Sequence, residues 1–488
     1  MKTFLREADF VVVGTGAGGA TVGRALARAG HSVLFVEEGP DRRDTPGERR
    51  TRDTMLGRFR DFGAQLAGGP SRIPMIQGRV VGGSTAINSA IFWQLPEAVF
   101  ADWTAADPDF ARELPYAELA DATALAMRDL SVRPVERRML GNNNLLLERG
   151  AQALGLEGKV IHRAENGCEG SARCLEGCPN KRRQGMDVSY IPDALAHGAE
   201  LSADTKALKV RMERGRAIGV DVRRTVGARE RGFLRARRGV ILAAGALHTP
   251  WLLLKSGLRA GEKFTAHPGF SVAGLFPEKV DTTFGATQGY EVTALRKERM
   301  KLEGLGIPAA ISAARLPGAG ATLKSYTDRR DHLASWACLV RPDTHGEVRL
   351  GMFGGVSARI AMVPADYARA LSGVKHLVRL FFAAGATEVF PGVAGAPSVL
   401  RRPEDFDGVT SVGPTQLSLV ATHLFGGATI GGTVDHRFRV RGTESLYVAD
   451  ASLIPTTLGV NPQGTIMALA RVAADRIANV TELARAAA

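Results

Sequence analysis

Residues 9–19 read DFVVVGTGAGG, and residues 32–37 read SVLFVE. Continuous apolar runs of this kind predict strands that are buried on both faces of a parallel sheet. Between them the pattern is helical from about Gly18 to Ala29, and Gly30 is placed to end that helix. The order strand, glycine turn, helix, strand predicts a βαβ unit.

The turn carries three glycines in a GxGxxG spacing, at Gly14, Gly16 and Gly19, and the second strand ends at Glu37. The first glycine permits the tight turn, the second lets a pyrophosphate approach the backbone, and the third lets helix and strand pack closely. The helix N-terminus adds unpaired N–H groups and positive partial charge. A carboxylate at Glu37 would accept hydrogen bonds from ribose hydroxyls and repel a 2′-phosphate. The sequence therefore predicts a site for the ADP-ribose part of FAD or NAD.

Two later segments resemble parts of such a domain. Residues 240–245 form another apolar run that ends at a glycine, and residues 446–450 form a late apolar strand that ends at Asp450. FAD is an extended cofactor, and a segment near the end of the sequence has to lie beneath its ribityl chain. Asp450 would either cap the pyrophosphate or ribityl region of FAD or serve as a helix cap. The three separated segments predict one discontinuous nucleotide-binding domain, with a second lobe built from the insertions.

Composition limits the class of protein. The 488 residues are 45% hydrophobic and 23% charged, so the chain can bury a large core, and a disordered or fibrous protein is excluded. The net charge of +13 is spread along the chain without a long block of like charges, so nucleic-acid binding is not expected. We find no signal peptide and no transmembrane run. This predicts a cytoplasmic protein, or a periplasmic one only if it is exported together with a partner.

Several segments, in order along the chain, resemble the glucose–methanol–choline (GMC) flavoprotein oxidoreductases. They are the glycine turn with residues 33–40, GRVVGGSTAIN at 78–88, GALHTPWLLLKSGL at 245–258, GEKFTAHPG at 261–269, and SLYVADASLIPTTLGVNPQGTIMALA at 445–470. Arg259 stands where a glycine is usual, and residues 269–410 match weakly. The resemblance implies an α/β (α+β) fold, in which a Rossmann-like FAD-binding domain carries an inserted substrate domain built on a large antiparallel sheet.

The resemblance also implies the residues of the site. His423, in THLFGGATIGG, matches the catalytic histidine of the family, and Asn461, in GVNPQG, matches the second position of the catalytic pair. A base with a pKa of about 6–7 would remove the alcohol proton while hydride leaves for flavin N5. Asn461 would donate a hydrogen bond to the developing alkoxide. The implied FAD-binding residues are Gly14, Gly16, Gly19, Glu37, Arg79, Gly83, Ser84, Asn88, Val210, Asp450, Asn461 and Pro462.

The positions of the histidines indicate whether the flavin is attached covalently. No histidine lies between His31 and His162, around the GRVVGGSTAIN loop, so the resemblance implies FAD that is bound without a covalent link. Asn88, in that loop, would lie near the reactive edge of the flavin. The remaining histidines that we considered are interpreted as structural residues: His248, His267, His345 and His436.

The motifs divide the chain into five predicted segments. The FAD-binding domain would take residues 1–100, then residues 155–262 with a cysteine cluster, and finally residues 410–488 with the catalytic pair. Residues 101–154 are expected to form a cap over the substrate site. Residues 263–409 are expected to form the substrate-binding domain.

The cysteine cluster consists of Cys168, Cys174 and Cys178, and Pro179 follows it directly. Clustered thiols in a chain without an export signal point to metal or redox chemistry. The C-x3-C-P end is shared with bacterial ferredoxin runs, and the spacing resembles the iron–sulfur-containing branch of the GMC family, which implies a 3Fe–4S cluster. Reduced structural thiols, zinc and a disulfide are the alternatives left open. Cys338, in an apolar strand, is interpreted as a core residue.

The leading hypothesis is the FAD-dependent oxidation of a small-molecule alcohol, such as a sugar or a sterol. Its electrons would pass through the cluster to an external acceptor, either a cytochrome or a small partner subunit. One alternative is a GMC-type oxidase that reduces O2 to H2O2. The other is a non-redox flavin-dependent lyase or flavin-binding protein.

Overall fold

The computed structural model describes residues 3–44, 50–313 and 315–486. The α-helices of these residues are α1 (Ala17–Arg28), α2 (Thr51–Arg58), α3 (Glu97–Ala106), α4 (Pro108–Glu113), α5 (Tyr116–Asp129), α6 (Gly141–Ala153), α7 (Tyr190–Ala196), α8 (Gly245–Lys255), α9 (Ala309–Ala313), α10 (Gly320–Asp328), α11 (Pro364–Ala383) and α12 (Gln463–Ala486). The strands are β1 (Thr3–Val13), β2 (Val33–Val36), β3 (Gln65–Ala67), β4 (Ile73–Met75), β5 (Val132–Pro134), β6 (Gly158–Val160), β7 (His162–Ala164), β8 (Glu200–Ser202), β9 (Thr205–Glu213), β10 (Arg216–Arg224), β11 (Arg231–Leu242), β12 (Thr265–Leu275), β13 (Tyr290–Val292), β14 (Met300–Gly304), β15 (Leu333–Val340), β16 (Glu347–Leu350), β17 (Val356–Arg359), β18 (Glu388–Phe390), β19 (Val420–Phe425) and β20 (Leu446–Val448).

The first sheet has seven strands in the order β8-β2-β1-β11-β10-β9, and β20 also pairs with β11. Strands β8, β2, β1, β11 and β20 run parallel, whereas β10 pairs antiparallel with the first half of β11 and β9 pairs antiparallel with β10. Every residue of β2 is buried, as expected for a parallel strand covered on both faces. The unit β1–α1–β2 confirms the predicted βαβ motif, and Gly30 follows α1 with a φ of +82°.

The second sheet has nine strands in the order β3-β4-β19-β12-β15-β14-β13-β6, with β18 paired to β12. All of its pairings are antiparallel except that of β4 with β19. Helices α6 and α11 cover it, and Trp336 of β15 stacks on Phe381 of α11 with ring centroids 3.8 Å apart. The mixed α/β fold with a large antiparallel sheet is the predicted fold class, and it is confirmed.

The predicted segment boundaries do not coincide with the sheets. Strands β3, β4, β6 and β19 pair in the second sheet, although their segments are predicted to belong to the FAD-binding domain. The chain leaves β4 for the GRVVGGSTAIN loop and leaves β19 for the C-terminal block. The second sheet therefore helps to position two motifs that the sequence assigns to the first domain.

Two long helices lie where the sequence pattern also predicts helices. The pattern predicts one over residues 364–384, where the structure has α11, and one over residues 465–480, where α12 continues to Ala486. No helix of the described ranges is long and apolar enough to span a membrane.

Candidate active site

A cavity of about 530 Å³ lies between the two sheets. It runs from the glycine turn, residues 13–18, along the GRVVGGSTAIN loop to strands β12 and β19 of the second sheet. The cavity therefore joins the predicted nucleotide site to the predicted catalytic pair. The predicted site residues in its wall are Gly14, Gly16, Glu37, Gly83, Ser84, Asn88, His423, Asp450, Asn461 and Pro462.

The three glycines of the turn have different tasks. A Cβ on Gly14 would lie 2.2 Å from the carbonyl oxygen of Ala243, and Gly14 has a φ of +106°. A Cβ on Gly19, which lies behind the cavity wall, would be 2.1 Å from the carbonyl oxygen of Gly14. A Cβ on Gly16 would meet nothing within 4 Å. Gly14 and Gly19 thus permit close backbone packing, while Gly16 leaves the start of α1 open to a phosphate.

Glu37 ends β2 at the cavity and is 7% exposed. Its Oε2 accepts hydrogen bonds from Thr15 Oγ1 at 2.7 Å and from the Thr15 N–H at 3.2 Å, and its Oε1 accepts from the Gly39 N–H at 2.9 Å. Burial raises the pKa of Glu37 above its ordinary value. Each carboxylate oxygen can accept a further hydrogen bond, so the held carboxyl group fits a ribose of FAD.

Asp450 is a helix cap that also lies in the cavity wall, and its role toward a cofactor stays a prediction. Its Oδ1 accepts from the Ser452 N–H at 2.7 Å and so caps a short 3₁₀ helix. Its Oδ2 accepts from the Gly245 N–H at 2.8 Å and from Thr249 Oγ1 at 2.5 Å, at the start of α8. Asp450 also lines the cavity. It therefore ties β20 to α8 beneath the space that an extended cofactor would occupy.

Two predicted cofactor residues lie away from the cavity. Val210 is fully buried in the first sheet and does not line the cavity, whereas Ala207, earlier on β9, does. Arg79 lies outside the wall, with its Nε 3.9 Å from Glu38 Oε1. On β9 it is thus Ala207 that faces the cavity, and of the predicted loop residues Gly83, Ser84 and Asn88 line it whereas Arg79 does not. Attachment of FAD without a covalent link stays a prediction.

The predicted catalytic residues are neighbours at the other end of the cavity. His423, on β19, has its Nε2 3.2 Å from Asn461 Nδ2, which lies just before α12. Burial, assisted by the positive charge of Lys301, lowers the pKa of His423 to about 3. His423 is therefore neutral at pH 7, and it is a much weaker base than the expected histidine with a pKa of about 6–7.

His267, interpreted from the sequence as a structural residue, contacts His423. The Gly459 N–H donates to His267 Nε2 at 2.9 Å, so neutral His267 carries its proton on Nδ1. That Nδ1 lies 3.2 Å from His423 Nδ1 and donates to it. Neutral His423 consequently carries its own proton on Nε2. His267 is thus buried, as interpreted, but the sequence interpretation missed its contact with His423, although His267 lies in the GEKFTAHPG segment.

The amide of Asn461 is oriented by Lys301 of β14, which the sequence reasoning missed. The ammonium of Lys301 donates to Asn461 Oδ1 at 2.5 Å, so the amide NH2 is the group that faces His423. The hydrogens on His423 Nε2 and Asn461 Nδ2 cannot bond to each other, because both groups are donors. They are available together to one acceptor atom in the cavity.

Lys301 is held by two buried carboxylates. Its Nζ lies 2.7 Å from Glu303 Oε2 and 3.2 Å from Glu291 Oε2, and all three residues are at most 2% exposed. Burial disfavours the charged form of Lys301, but the two carboxylates outweigh it and raise its pKa. Arg296 reaches Glu291 Oε1 at 3.3 Å and completes the charge balance of the group.

Glu303 is also part of the cavity wall. Its Oε1 accepts from Gln288 Nε2 at 2.7 Å, and its Oε2 accepts from Lys301. Burial raises the pKa of Glu303 although Lys301 opposes this shift. The end of the cavity at His423 thus contains two donors and one carboxylate that can accept a proton.

The cysteine cluster lies beside the cavity, with an arginine among the thiols. Arg163 is buried and donates from Nη2 to Cys174 Sγ at 3.0 Å. Although burial opposes it, Arg163 lowers the pKa of Cys174, while burial raises the pKa of Cys168 to about 11. The space lined by Cys168, Cys174 and Cys178 is about 10 Å³, room for roughly one water molecule.

This geometry does not fit a 3Fe–4S cluster. Within the described parts of the chain, no three His, Cys, Asp or Glu side chains are grouped so that they could hold a metal ion. The predicted ligand set is therefore not supported. Cys338 is fully buried, in agreement with its interpretation as a core residue.

Comparison with known proteins identifies the family. Residues 8–269 match the N-terminal part of the GMC oxidoreductase family, and residues 342–470 match its C-terminal part. The chain belongs to the GMC oxidoreductase family. The fold, the glycine turn and the cavity fit FAD, the cofactor of this family, whereas nothing in these matches supports the iron–sulfur branch.

Three proteins of different kinds are similar to this chain in sequence or in fold. The chain is 36% identical over 490 residues to an uncharacterized GMC-type oxidoreductase of Mycobacterium tuberculosis, covering 96% of this chain and 76% of the relative. It is 27% identical over 532 residues to a long-chain-alcohol oxidase of Arabidopsis thaliana, covering 98% and 67%. A crystal structure of formate oxidase shares the fold, with a TM-score of 0.71, 17% identity, and coverage of 99% and 100%.

Replacement of Gly19 by alanine should lower the stability of the protein, whereas replacement of Gly16 should lower its affinity for FAD. Gly19→Ala places a Cβ against the backbone and should destabilise the protein by about 1–3 kcal/mol or more. Gly16→Ala meets no protein atom and should cost less than about 1 kcal/mol, but it should weaken FAD binding at least roughly tenfold by obstructing the pyrophosphate. Denaturant unfolding of the apoprotein and FAD titration separate the two effects. Tight FAD binding by Gly16→Ala would contradict the assignment of the turn.

Removal of the Lys301 charge should destabilise the fold strongly. Lys301→Met leaves two carboxylates buried without their shared cation, which should cost about 3–5 kcal/mol. Lys324→Met is the matched control, because Lys324 and Asp328 form an exposed pair and its loss should stay within roughly 0.5 kcal/mol. Urea unfolding at neutral pH gives both values. Similar midpoints for the two variants would show that Lys301 is not essential to the fold.

Proposed function

We propose that this protein oxidises an alcohol with FAD as the hydride acceptor. The observation that carries the proposal is the pair of donors at His423 Nε2 and Asn461 Nδ2, in the same cavity as the nucleotide turn. When bound, FAD supplies the flavin ring that accepts the hydride from the carbinol carbon. The long-chain-alcohol oxidase among the relatives supports an alcohol as the substrate class.

In this proposal the two donors hold the oxygen atom of the substrate. Negative charge grows on that oxygen as its proton leaves, and donors already fixed in position stabilise it without further reorganisation. His267 fixes the tautomer of His423, and Lys301 fixes the amide of Asn461. Loss of one such donor typically costs roughly 100- to 1,000-fold in rate.

The alcohol proton then passes to Glu303. Neutral His423 carries its proton on the nitrogen that faces Asn461, so it has no free lone pair on that side. Glu303 lines the same end of the cavity, and its Oε2 shares the ammonium of Lys301 with Asn461. A carboxylate with a raised pKa is a better proton acceptor than an ordinary glutamate.

The pH dependence of flavin reduction tests these roles. Anaerobic stopped-flow reduction by a neutral primary alcohol should slow as the pH falls, because protonation of Glu303 removes the base. Glu303→Gln should lose roughly 100- to 10,000-fold in rate and with it this acid limb. His423→Asn should lose roughly 100- to 1,000-fold but keep the limb. If the loss of rate at low pH persists in Glu303→Gln and disappears in His423→Asn, His423 is the base. Turnover without bleaching of the flavin would instead indicate a lyase.

The electron acceptor is a separate question. Arg163 occupies the cysteine cluster, which favours the oxidase alternative over transfer through 3Fe–4S to a cytochrome or a partner subunit. We expect the reduced protein to be reoxidised by air with formation of H2O2, and the purified protein to contain well under one iron per chain. Iron near three per chain, together with slow reoxidation in air and fast reoxidation by a cytochrome, would restore the cluster as the electron route.

A further inference from the structure

Arg315 is a cation in the wall of the cavity. Its Nη1 donates to Ser271 Oγ at 3.1 Å, and within residues 3–44, 50–313 and 315–486 no carboxylate forms an ion pair with it. Arg60 and Lys206 also line the cavity, but both pair with Glu38, at 2.8 and 3.0 Å. Arg315 is thus a cation of the cavity wall whose counter-ion the described chain does not supply.

The surroundings of Arg315 make this unpaired charge costly. Burial alone lowers its pKa, and no carboxylate opposes that shift. A guanidinium remains charged at neutral pH and presents a planar set of donors that matches a carboxylate. A partly buried cation without a partner gains free energy when an anion binds to it.

The distance from Arg315 to the catalytic pair can be estimated along strand β12, which contacts both. His267 of β12 contacts His423, and Ser271 of the same strand contacts Arg315. These two strand positions are four residues apart, which corresponds to about 13 Å in an extended strand. An anion at Arg315 would therefore lie on the order of 10 Å from an alcohol carbon at His423.

The cavity wall at this end is largely apolar. It includes Phe270, Leu305, Ile307, Leu339 and Val420. Ile311 of α9 also lines the cavity and is 38% exposed, so the cavity meets the surface close to Arg315. A ligand that is complementary to this cavity has an anionic group at Arg315 near the surface, an apolar spacer along the wall, and a carbinol group at the buried His423.

We infer that Arg315 binds the carboxylate of the substrate, so that the alcohol oxidised here is a hydroxycarboxylic acid with an apolar spacer. This inference rests on the proposed function and specifies its substrate class. The single guanidinium of Arg315, beside the hydroxyl group of Ser271, is complementary to a singly charged carboxylate. The hydroxyl group reacts at His423 and Asn461, while Arg315 and Ser271 hold the opposite end of the molecule.

Binding and flavin reduction test this inference in the FAD-loaded protein. The binding probe is decanoate, which has no alcohol group, and its dissociation constant is read from the perturbed flavin spectrum. Arg315→Gln should weaken decanoate binding roughly 10- to 100-fold, and Arg315→Lys should retain part of the affinity. Arg330→Gln, at an exposed arginine of the same lobe, should leave the affinity unchanged.

The reductive half-reaction separates the possible outcomes. In the wild type, anaerobic reduction by 10-hydroxydecanoate should be more efficient than reduction by 1-decanol, and Arg315→Gln should abolish that preference without slowing 1-decanol. Equal decanoate binding by wild type and Arg315→Gln would overturn the inference, as would an effect of Arg315→Gln confined to reoxidation by an acceptor. Decanoate binding that depends on Arg315 in a protein whose flavin no alcohol reduces would support the carboxylate site but refute the proposed alcohol oxidation.

Discussion

The buried ammonium of Lys301 is the group on which the structure around His423 and Asn461 depends. It neutralises carboxylates of Glu291 and Glu303 on adjacent strands of the second sheet and donates to Asn461 in the C-terminal block. Removal of one partner from such a buried group leaves an uncompensated charge, which is why these residues depend on one another. The same contact orients the Asn461 amide, and the charge of Lys301 adds to burial in lowering the pKa of His423. The buried charges that stabilise this part of the fold are therefore the same groups that the proposed reaction uses.

The second constraint is the close approach of backbone segments in the first sheet. The glycine turn packs against the end of β11, and Gly18 lies against the backbone of Ala449 at the end of β20. Asp450 then joins β20 to the start of α8. Segments that are far apart in the chain thus form one surface for an extended nucleotide, while the second sheet brings β12, β14 and β19 to its other end. The cavity exists because both sheets contribute to its wall.

The sequence predicts those features that rest on local patterns. The βαβ unit, the helices α11 and α12 and the glycine turn follow from apolar runs and special turn residues, whereas the pairing of His423 with Asn461 is what the family resemblance implies. The sequence could not predict the environment of His423, because its pKa depends on burial and on a lysine from the weakly matching lobe. For the same reason Lys301 and Glu303 were missed: two charged residues in one strand look like an exposed face until the sheet is assembled. The cysteine spacing suggested a metal site, but it contains no information about where Arg163 lies.

The tautomer of His423 is the most direct test of the proposed arrangement of donors. Selective ¹⁵N labelling of histidine, with the His423 and His267 signals assigned from their single variants, reports which ring nitrogen carries the proton. At pH 7 the arrangement predicts a neutral His423 protonated on Nε2 and a neutral His267 protonated on Nδ1. A His423 protonated on Nδ1, with a free lone pair on Nε2, would contradict the two-donor arrangement and return the role of base to His423.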